Sequence, residues 1–356
     1  MIPGNATPEG TARFAARAAG FAAPGHFRPG PAGLTLSSLG LGTYLGNSDD
    51  ATDAAVMQAA AFSIAGGLNV LDTAINYRSQ RAERCLGAVL QRLVSSGRLD
   101  RSEVFVSTKA GYIPYDGAPP ADRVRYIRDT YLGPKIIAPS DLVGGIQCIA
   151  PAYLLDQIRR SRANLRLATL DLFHLHNPEY MIPALGRNEW RRRIELAFRT
   201  LEDAVRQGLI ASYGTATWDG YRVGAERPDH LELSELLELA RHVGGAEHHF
   251  RAIQLPISLS AREAVSEPTQ TPDGRPATVL EAASAAGVAV FASAPLLQGQ
   301  ALGETPPEPS HAALTTPGQR ALQWVRTRPG VLCALVGMKS EAHVRENLAL
   351  VGVAAQ

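Results

Sequence analysis

Short apolar runs and longer segments of helical periodicity alternate along this chain, in unbroken order, eight times. Residues 39–43, 69–72, 104–108, 170–174, 210–214, 252–255, 288–292 and 333–336 read as strands. Each is followed by a segment whose apolar residues recur at helical spacing: 49–65, 81–94, 151–165, 190–207, 233–243, 278–286, 319–327 and 343–351. In the first of these Ala55, Val56, Ala59, Ala60 and Ile64 share a face, and Gly66-Gly67 ends the helix. Pro151 opens another, where its missing N–H is no loss. A strand followed by a helix pairs in parallel with the next strand, because the crossover returns the chain to the same end. Eight such units in succession predict an α/β fold in which the sheet closes on itself: a single-domain (β/α)8 TIM barrel.

Residues 1–32 are rich in Gly, Pro and Ala and read as an N-terminal arm, loose or carrying a short helix packed on the barrel. The barrel is expected over 33–356, beginning with an alternating stretch at 33–37 that suits a small hairpin. Three connections, each after a strand, are long: 112–150, 256–277 and 296–317. The first carries Tyr115, Tyr126 and Tyr131 amid Gly, Pro and charge, and reads as a lid-like insertion or substrate wall at the C-terminal face.

Three successive strand-like runs finish on ionisable groups. Val70-Leu71 ends in Asp72 with Tyr77 five residues on, Val104 to Thr108 ends in Lys109, and Leu170 to Phe173 leads through His174 to His176. A strand interior rejects charge, whereas the open rim at its end tolerates it. Parallel neighbours therefore bring Asp72, Tyr77, Lys109 and His176 to one rim, the face where such barrels carry their chemistry. Any one of the four has a bland explanation as a turn residue, a loop aromatic or a strand end meeting water. Their order and placement together favour a site. Of 35 Lys and Arg residues only Lys109, Lys135 and Lys339 are lysines, so a chain that otherwise prefers arginine places lysine at two positions singled out here. Lysine is a compact point charge that fits a tight pocket.

The totals set limits. With 356 residues, 45% of them hydrophobic, the chain can bury a large core. A net charge of +1 without basic or acidic blocks argues against nucleic acid or an anionic membrane as partner. Cys85, Cys148 and Cys333 are far apart and odd in number, which suits a reducing cytoplasm better than a disulfide framework or a zinc site. No apolar run approaches the ~20 residues that span a bilayer, and the first residues lack the layout of a secretory signal. The expected partner is a small molecule, and the expected state a cytoplasmic monomer or small homo-oligomer.

Taken together the motifs resemble those of the aldo-keto reductases, from Leu34 to Val351. The stretches that carry the resemblance are Leu39-Gly40-Leu41-Gly42-Thr43, Leu71-Asp72-Thr73-Ala74 with Tyr77, Ser107-Thr108-Lys109 and Leu175-His176-Asn177-Pro178. Gly208-Leu209-Ile210 with Gly214, Ile253-Gln254, Ala294-Pro295-Leu296 and Glu346-Asn347 extend it. The resemblance implies a catalytic tetrad of Asp72, Tyr77, Lys109 and His176. It implies a nicotinamide cofactor, NADP(H) in preference to NAD(H). It implies reduction of an aldehyde or ketone to an alcohol, or the reverse, by an enzyme of the NADP-dependent aldo-keto reductase and alcohol dehydrogenase type.

Hydride addition to a carbonyl leaves negative charge on oxygen, and a proton donor must meet it. A free phenol, with a pKa of about 10, holds its proton at neutral pH. A nearby Lys109 ammonium is expected to lower that value, with Asp72 keeping the lysine charged and His176 orienting the carbonyl. For the cofactor, the resemblance implicates Thr43, Thr217, Gln254, Ser293, Leu296, Gln298, Lys339, Ser340, His343, Glu346 and Asn347. Gln254 corresponds to a carboxamide contact, Leu296 to Gly299 to the pyrophosphate, Lys339, Ser340 and His343 to a 2′-phosphate, and Glu346 and Asn347 to adenine.

The pattern also departs from the family. Ala216-Thr217 replaces a Ser-Asn pair, and Ser293 stands where an aromatic ring often stacks on the nicotinamide, so stacking is expected from elsewhere, Trp218 being one candidate, or not at all. Many relatives carry a tail past the last helix that closes the pocket; here the expectation is a pocket open on that side or one walled by residues 112–150. Two rival functions are weaker. His174-x-His176 on one strand face suits a metal-dependent barrel hydrolase, but strands six and eight end near Gln254 and Gly337, which add no ligand. The missing ring suits a non-catalytic, NADP-binding regulatory subunit.

Overall fold

A computed structural model describes residues 1–308 and 311–355; residues 309 and 310 of the connection 296–317, and residue 356, lie outside the described residues. The chain begins with a helix, Pro8–Ala18, capped by the Thr7 side chain, and an antiparallel pair, β1 (Phe27–Pro29) and β2 (Thr35–Ser37). Eight parallel strands follow: β3 (Leu39–Gly42), β4 (Val70–Asp72), β5 (Phe105–Ala110), β6 (Leu172–His176), β7 (Tyr213–Ala216), β8 (Phe250–Pro256), β9 (Ala289–Ser293) and β10 (Val331–Gly337). Each pairs with the next and β10 pairs with β3, so the sheet is a closed barrel. Main helices fall where periodicity places them, among them Asp50–Ala65, Arg81–Ser95, Pro151–Leu165 and Arg187–Arg206.

Two strands lie further along the chain than their apolar runs suggest: 170–174 is realised as Leu172–His176, and 210–214 as Tyr213–Ala216. Leu170 and Ile210 pair with each other in an isolated parallel bridge below the barrel. Between that bridge and β6 comes Asp171, whose carboxylate is spent on other segments. It accepts from Ala6 N at 2.6 Å, Val106 N at 2.8 Å and the Arg101 guanidinium at 2.7 Å. The last helix, expected over 343–351, is Glu341–Leu348 followed by a 3-10 turn, Ala349–Gly352, because Ser340 caps it two residues earlier.

The barrel interior is layered. At its N-terminal end Val70, Phe105, Leu172, Ala252, Phe291 and Leu335 form one apolar cluster, closed below by Leu34 and Leu36 of the β1–β2 segment. The Phe105 and Phe291 rings stack at 5.8 Å, although β5 and β9 are on opposite sides of the barrel. Side chains alternate with a period of two along a strand. Moving up from these inward positions therefore reaches Asp72, then Ser107 and Lys109, His174 and His176, Gln254 and Ser293. The same geometry that fills the lower barrel with hydrocarbon lines the upper barrel with polar groups.

The 1–32 segment is a packed element: Phe14 is buried, Ile2 bridges Leu167, and Ala6 N is held by Asp171. Asp171→Ala leaves Arg101 buried without its partner, which costs about 3–5 kcal/mol. Urea denaturation of the variant is expected to show a loss of that order, and a loss below about 1 kcal/mol contradicts this account of the anchor.

Candidate active site

Asp72 is the last residue of β4 and Lys109 the fifth of the six in β5. Lys109 is fully buried, and its Nζ donates to Asp72 Oδ2 at 2.6 Å and to the Thr73 carbonyl at 2.8 Å. The other carboxylate oxygen of Asp72 accepts from Ser107 Oγ at 2.6 Å and from Gln254 Nε2 at 3.0 Å. Thr43 Oγ1 donates to the Asp72 carbonyl at 3.1 Å. Three other strands or their ends thus converge on one carboxylate residue. A buried ion pair is tolerable only when its remaining valences are met in this way.

Tyr77 lies in the turn between β4 and the helix Arg81–Ser95, with its ring centroid 5.0 Å from Lys109 Nζ and 5.8 Å from the His176 ring. Tyr44, after β3, packs edge-on against it at 5.0 Å. Among the described residues nothing hydrogen-bonds the Tyr77 hydroxyl. Asp72, Tyr77, Lys109 and His176 therefore share one rim.

The electrostatics differ from the sequence expectation in one respect. Lys109 does not bring the Tyr77 phenol down: burial, with a smaller push from Asp72, holds its pKa well above the usual 10.0. The physical reason is that burial disfavours the phenolate by more than a lysine already engaged by Asp72 at 2.6 Å offsets. Burial also pulls the Lys109 ammonium down, against the opposing field of Asp72. His176 is pushed down to about 3 by burial and then by Lys109, so its imidazole is neutral across the physiological range. Its Nδ1 is buried without a partner, as are both ring nitrogens of His174.

The expected cofactor residues form two groups. Thr217, after β7, donates its N–H to the Gln254 carbonyl at 2.8 Å, joining Thr43 and Gln254 beside Asp72. Gln254 therefore directs one amide N–H to the carboxylate. Ser293 ends β9, half-buried, and Leu296 and Gln298 lie in the loop after it. The second group follows β10. Lys339 precedes the helix Glu341–Leu348, and Ser340 caps it by accepting from the His343 N–H at 3.2 Å. Glu346 is tied down: its side chain accepts from Thr316 Oγ1 and its carbonyl from Gln319 Nε2 at 2.9 Å. Asn347 is buried.

Sequence reasoning missed four contributors. Tyr112 packs edge-on against His176 at 5.1 Å, and its hydroxyl accepts from Asn177 Nδ2 at 3.0 Å. Gln147 Nε2 donates to the Asn177 carbonyl at 2.9 Å, so both ends of the 112–150 segment are fastened at the end of β6. Tyr44 and Glu179 are the others. Glu179 is fully buried and accepts from the N–H groups of Trp218 at 2.7 Å and Asp219 at 3.4 Å; burial pushes its carboxyl up to about 7. Tyr112 follows Lys109 by three residues, a signal readable only with the strand end known. A carboxylate buried under a loop from another strand leaves no trace in the sequence.

Among the described residues no three His, Cys, Asp or Glu are grouped to share a metal ion, and no helix is long and apolar enough to cross a membrane.

A closed parallel barrel with a buried ammonium–carboxylate pair, a phenol and a neutral imidazole at its C-terminal rim defines the class. A family model described as the Aldo/keto reductase family matches residues 38–225, more than half of the chain. This chain belongs to that family. Solved structures agree on the fold. An aldo/keto reductase from Klebsiella pneumoniae, crystallised with NADP and acetate, is 19% identical, with 93% of this chain and 91% of that one covered at a TM-score of 0.61. A glycerol dehydrogenase from Gluconobacter oxydans is 19% identical over 93% and 91% of the two chains, at 0.59. An aldo-keto reductase from Bacillus halodurans, in its holo form, is 20% identical over 91% and 90%, also at 0.59.

The pair can be tested by a double-mutant cycle. Asp72→Leu and Lys109→Met each strand a buried charge and are expected to cost about 3–5 kcal/mol alone, with the double variant losing less than the sum. Additive losses in denaturation experiments contradict the pairing.

Proposed function

We propose that this chain is an NADP(H)-dependent oxidoreductase that interconverts an aldehyde or ketone and its alcohol, with Tyr77 as general acid and base. The observation that carries the reading is the placement of a protonated phenol between a neutral imidazole and a buried ammonium at one barrel mouth.

The donor set beyond that mouth fits a phosphate-bearing dinucleotide. After β9 the backbone is left-handed at Ala294 (φ 46°), Leu297 (43°), Gln298 (56°) and Gly299 (96°). The Leu297 and Gly299 N–H groups close this turn onto the Ala294 and Leu296 carbonyls, each at 2.8 Å, so the loop is a compact ledge against which a pyrophosphate would lie. Lys339 adds a positive charge, and the start of the helix Glu341–Leu348, with Ser340 and His343, adds polar groups, where a 2′-phosphate would sit. Thr217, Gln254 and Ser293 would hold the nicotinamide end, with Trp218, 39% exposed, as the available ring. Thr43, Leu296 and Gln298 would line the middle, and Asn347 the adenine end, with Glu346 engaged in helix packing. When bound, the reduced nicotinamide supplies hydride to the carbonyl carbon.

The chain's own groups do the rest. The carbonyl oxygen lies between Tyr77 and the neutral His176, which orients it. As charge gathers there, Tyr77 gives up its proton. The phenolate left behind is stabilised by the Lys109 ammonium, 5.0 Å from its ring, with Asp72 keeping that ammonium charged. Tyr112 and Tyr44 exclude water from the flanks. The family alternative, a regulatory subunit that binds NADP without turnover, is favoured by Ser293 in place of a stacking ring; NADPH binding with no turnover across the panel below would establish it.

Purified protein is expected to oxidise NADPH, followed at the nicotinamide absorbance, with a member of a panel of aldehydes and ketones. Tyr77→Phe is expected to lower kcat by at least about 100-fold while cofactor binding persists. Unchanged turnover in that variant removes the assignment. The raised phenol also fixes a pH dependence. Reduction needs the protonated form, present throughout the neutral range, whereas alcohol oxidation needs the phenolate. Oxidation is expected to climb roughly tenfold per pH unit up to about pH 10 while reduction stays flat. A plateau in oxidation below about pH 10 contradicts the raised value.

A further inference from the structure

The Tyr77 hydroxyl has no hydrogen-bond partner among the described residues, so its ring contacts and its backbone determine where it points. That backbone is unusual. Arg78, Ser79 and Gln80, immediately after Tyr77, are three consecutive non-glycine residues in the left-handed region, with φ of 50°, 56° and 70°. Left-handed backbone at side-chain-bearing residues is strained and persists only where the surroundings hold it.

What holds it is the Arg78 side chain, only 1% exposed. Its Nε donates to the Asn47 carbonyl at 2.9 Å, in the loop that also carries Tyr44. One terminal nitrogen donates to the Asp53 carboxylate of the helix Asp50–Ala65, and the other reaches Cys85 Sγ at 4.0 Å in the helix Arg81–Ser95. The next two residues fasten the opposite wall. The Ser79 carbonyl accepts from Gly117 N at 2.8 Å, and Gln80 Nε2 donates to the Tyr115 carbonyl at 2.9 Å, both within the 112–150 segment.

We propose that Arg78 is a positioning residue for Tyr77: its buried guanidinium locks the left-handed bend 78–80 to one wall of the mouth, and the bend so held lets Ser79 and Gln80 fasten the other. The inference rests on the reading of Tyr77 as the proton donor. Arg78 touches neither substrate nor cofactor, so its effect is on how often the phenol stands at the reacting distance. A misplacement of about 1 Å is enough to cost on the order of 100-fold in rate.

Arg78→Gly in the full chain separates this role from a conformational one. Glycine adopts φ near +50° without strain, so a residue needed only for the turn is replaced without loss. The expected result is a kcat for NADPH-linked carbonyl reduction reduced by roughly 100-fold, with KM and NADPH affinity within about twofold of the parent. Millimolar guanidinium is expected to restore part of the rate, and Arg78→Lys to fall between. Cys85, buried behind the guanidinium, is expected to react faster with a thiol reagent, a readout independent of turnover. Asp53→Asn, which keeps Arg78 and weakens its anchor, is the second variant and is expected to lower kcat with the same split. A kcat within threefold of the parent in Arg78→Gly, or in Asp53→Asn if the glycine variant does not fold, overturns the proposal, whether or not Cys85 becomes reactive. Turnover that survives Tyr77→Phe overturns the acid–base reading instead, whatever Arg78→Gly shows.

Discussion

The salt bridge between Lys109 and Asp72 is the interaction on which the upper barrel depends. Two charges taken out of water are costly, and their mutual attraction offsets that cost only when every other valence is met. Here Ser107, Gln254 and the Thr73 carbonyl complete the set, so three strands are held in register by one carboxylate–ammonium pair. Burial disfavours charge on both groups above the pair, with Asp72 adding to the cost of a phenolate and Lys109 to that of an imidazolium. Tyr77 stays protonated and His176 stays neutral, which is the charge state that the proposed proton donation needs.

Much of this was legible in the sequence, and for identifiable reasons. A barrel strand alternates sides with period two, so apolar runs ending in Asp72, Lys109 and His176 announce inward positions that emerge at the rim. Closure follows from eight repeats in one order, since no strand is left to be an edge. Strand limits were less legible. Leu170 and Ile210 are as apolar as their neighbours, and only the three-way use of the Asp171 carboxylate reveals that the barrel begins after them. The direction of the Tyr77 shift is not legible in the sequence, because proximity to a lysine says nothing of how deeply the phenol is buried.

Contacts between loops of different strands were out of reach. Tyr112 against His176, Glu179 under the Trp218 backbone and Arg78 between two helices all join residues that no local pattern associates. They share a physical theme: the barrel presents the reacting groups, and buried polar side chains from the loops fix where those groups stand. Glu179 does for the loop after β7 what Asp72 does for the strands, and Gln147 and Tyr112 fasten both ends of the 112–150 segment to Asn177.

The central claim is that Lys109 is a charged, salt-bridged ammonium deep in the barrel. With only three lysines in the chain, a protein carrying nitrogen-15 at the lysine side chain gives a spectrum simple enough to assign with one Lys109→Met control. The account predicts that the Lys109 signal is that of a slowly exchanging ammonium at pH 7, shielded from solvent, and that Asp72→Asn converts it to the neutral amine. A neutral amine in the parent protein, or an ammonium that exchanges as fast as those of Lys135 and Lys339, contradicts it.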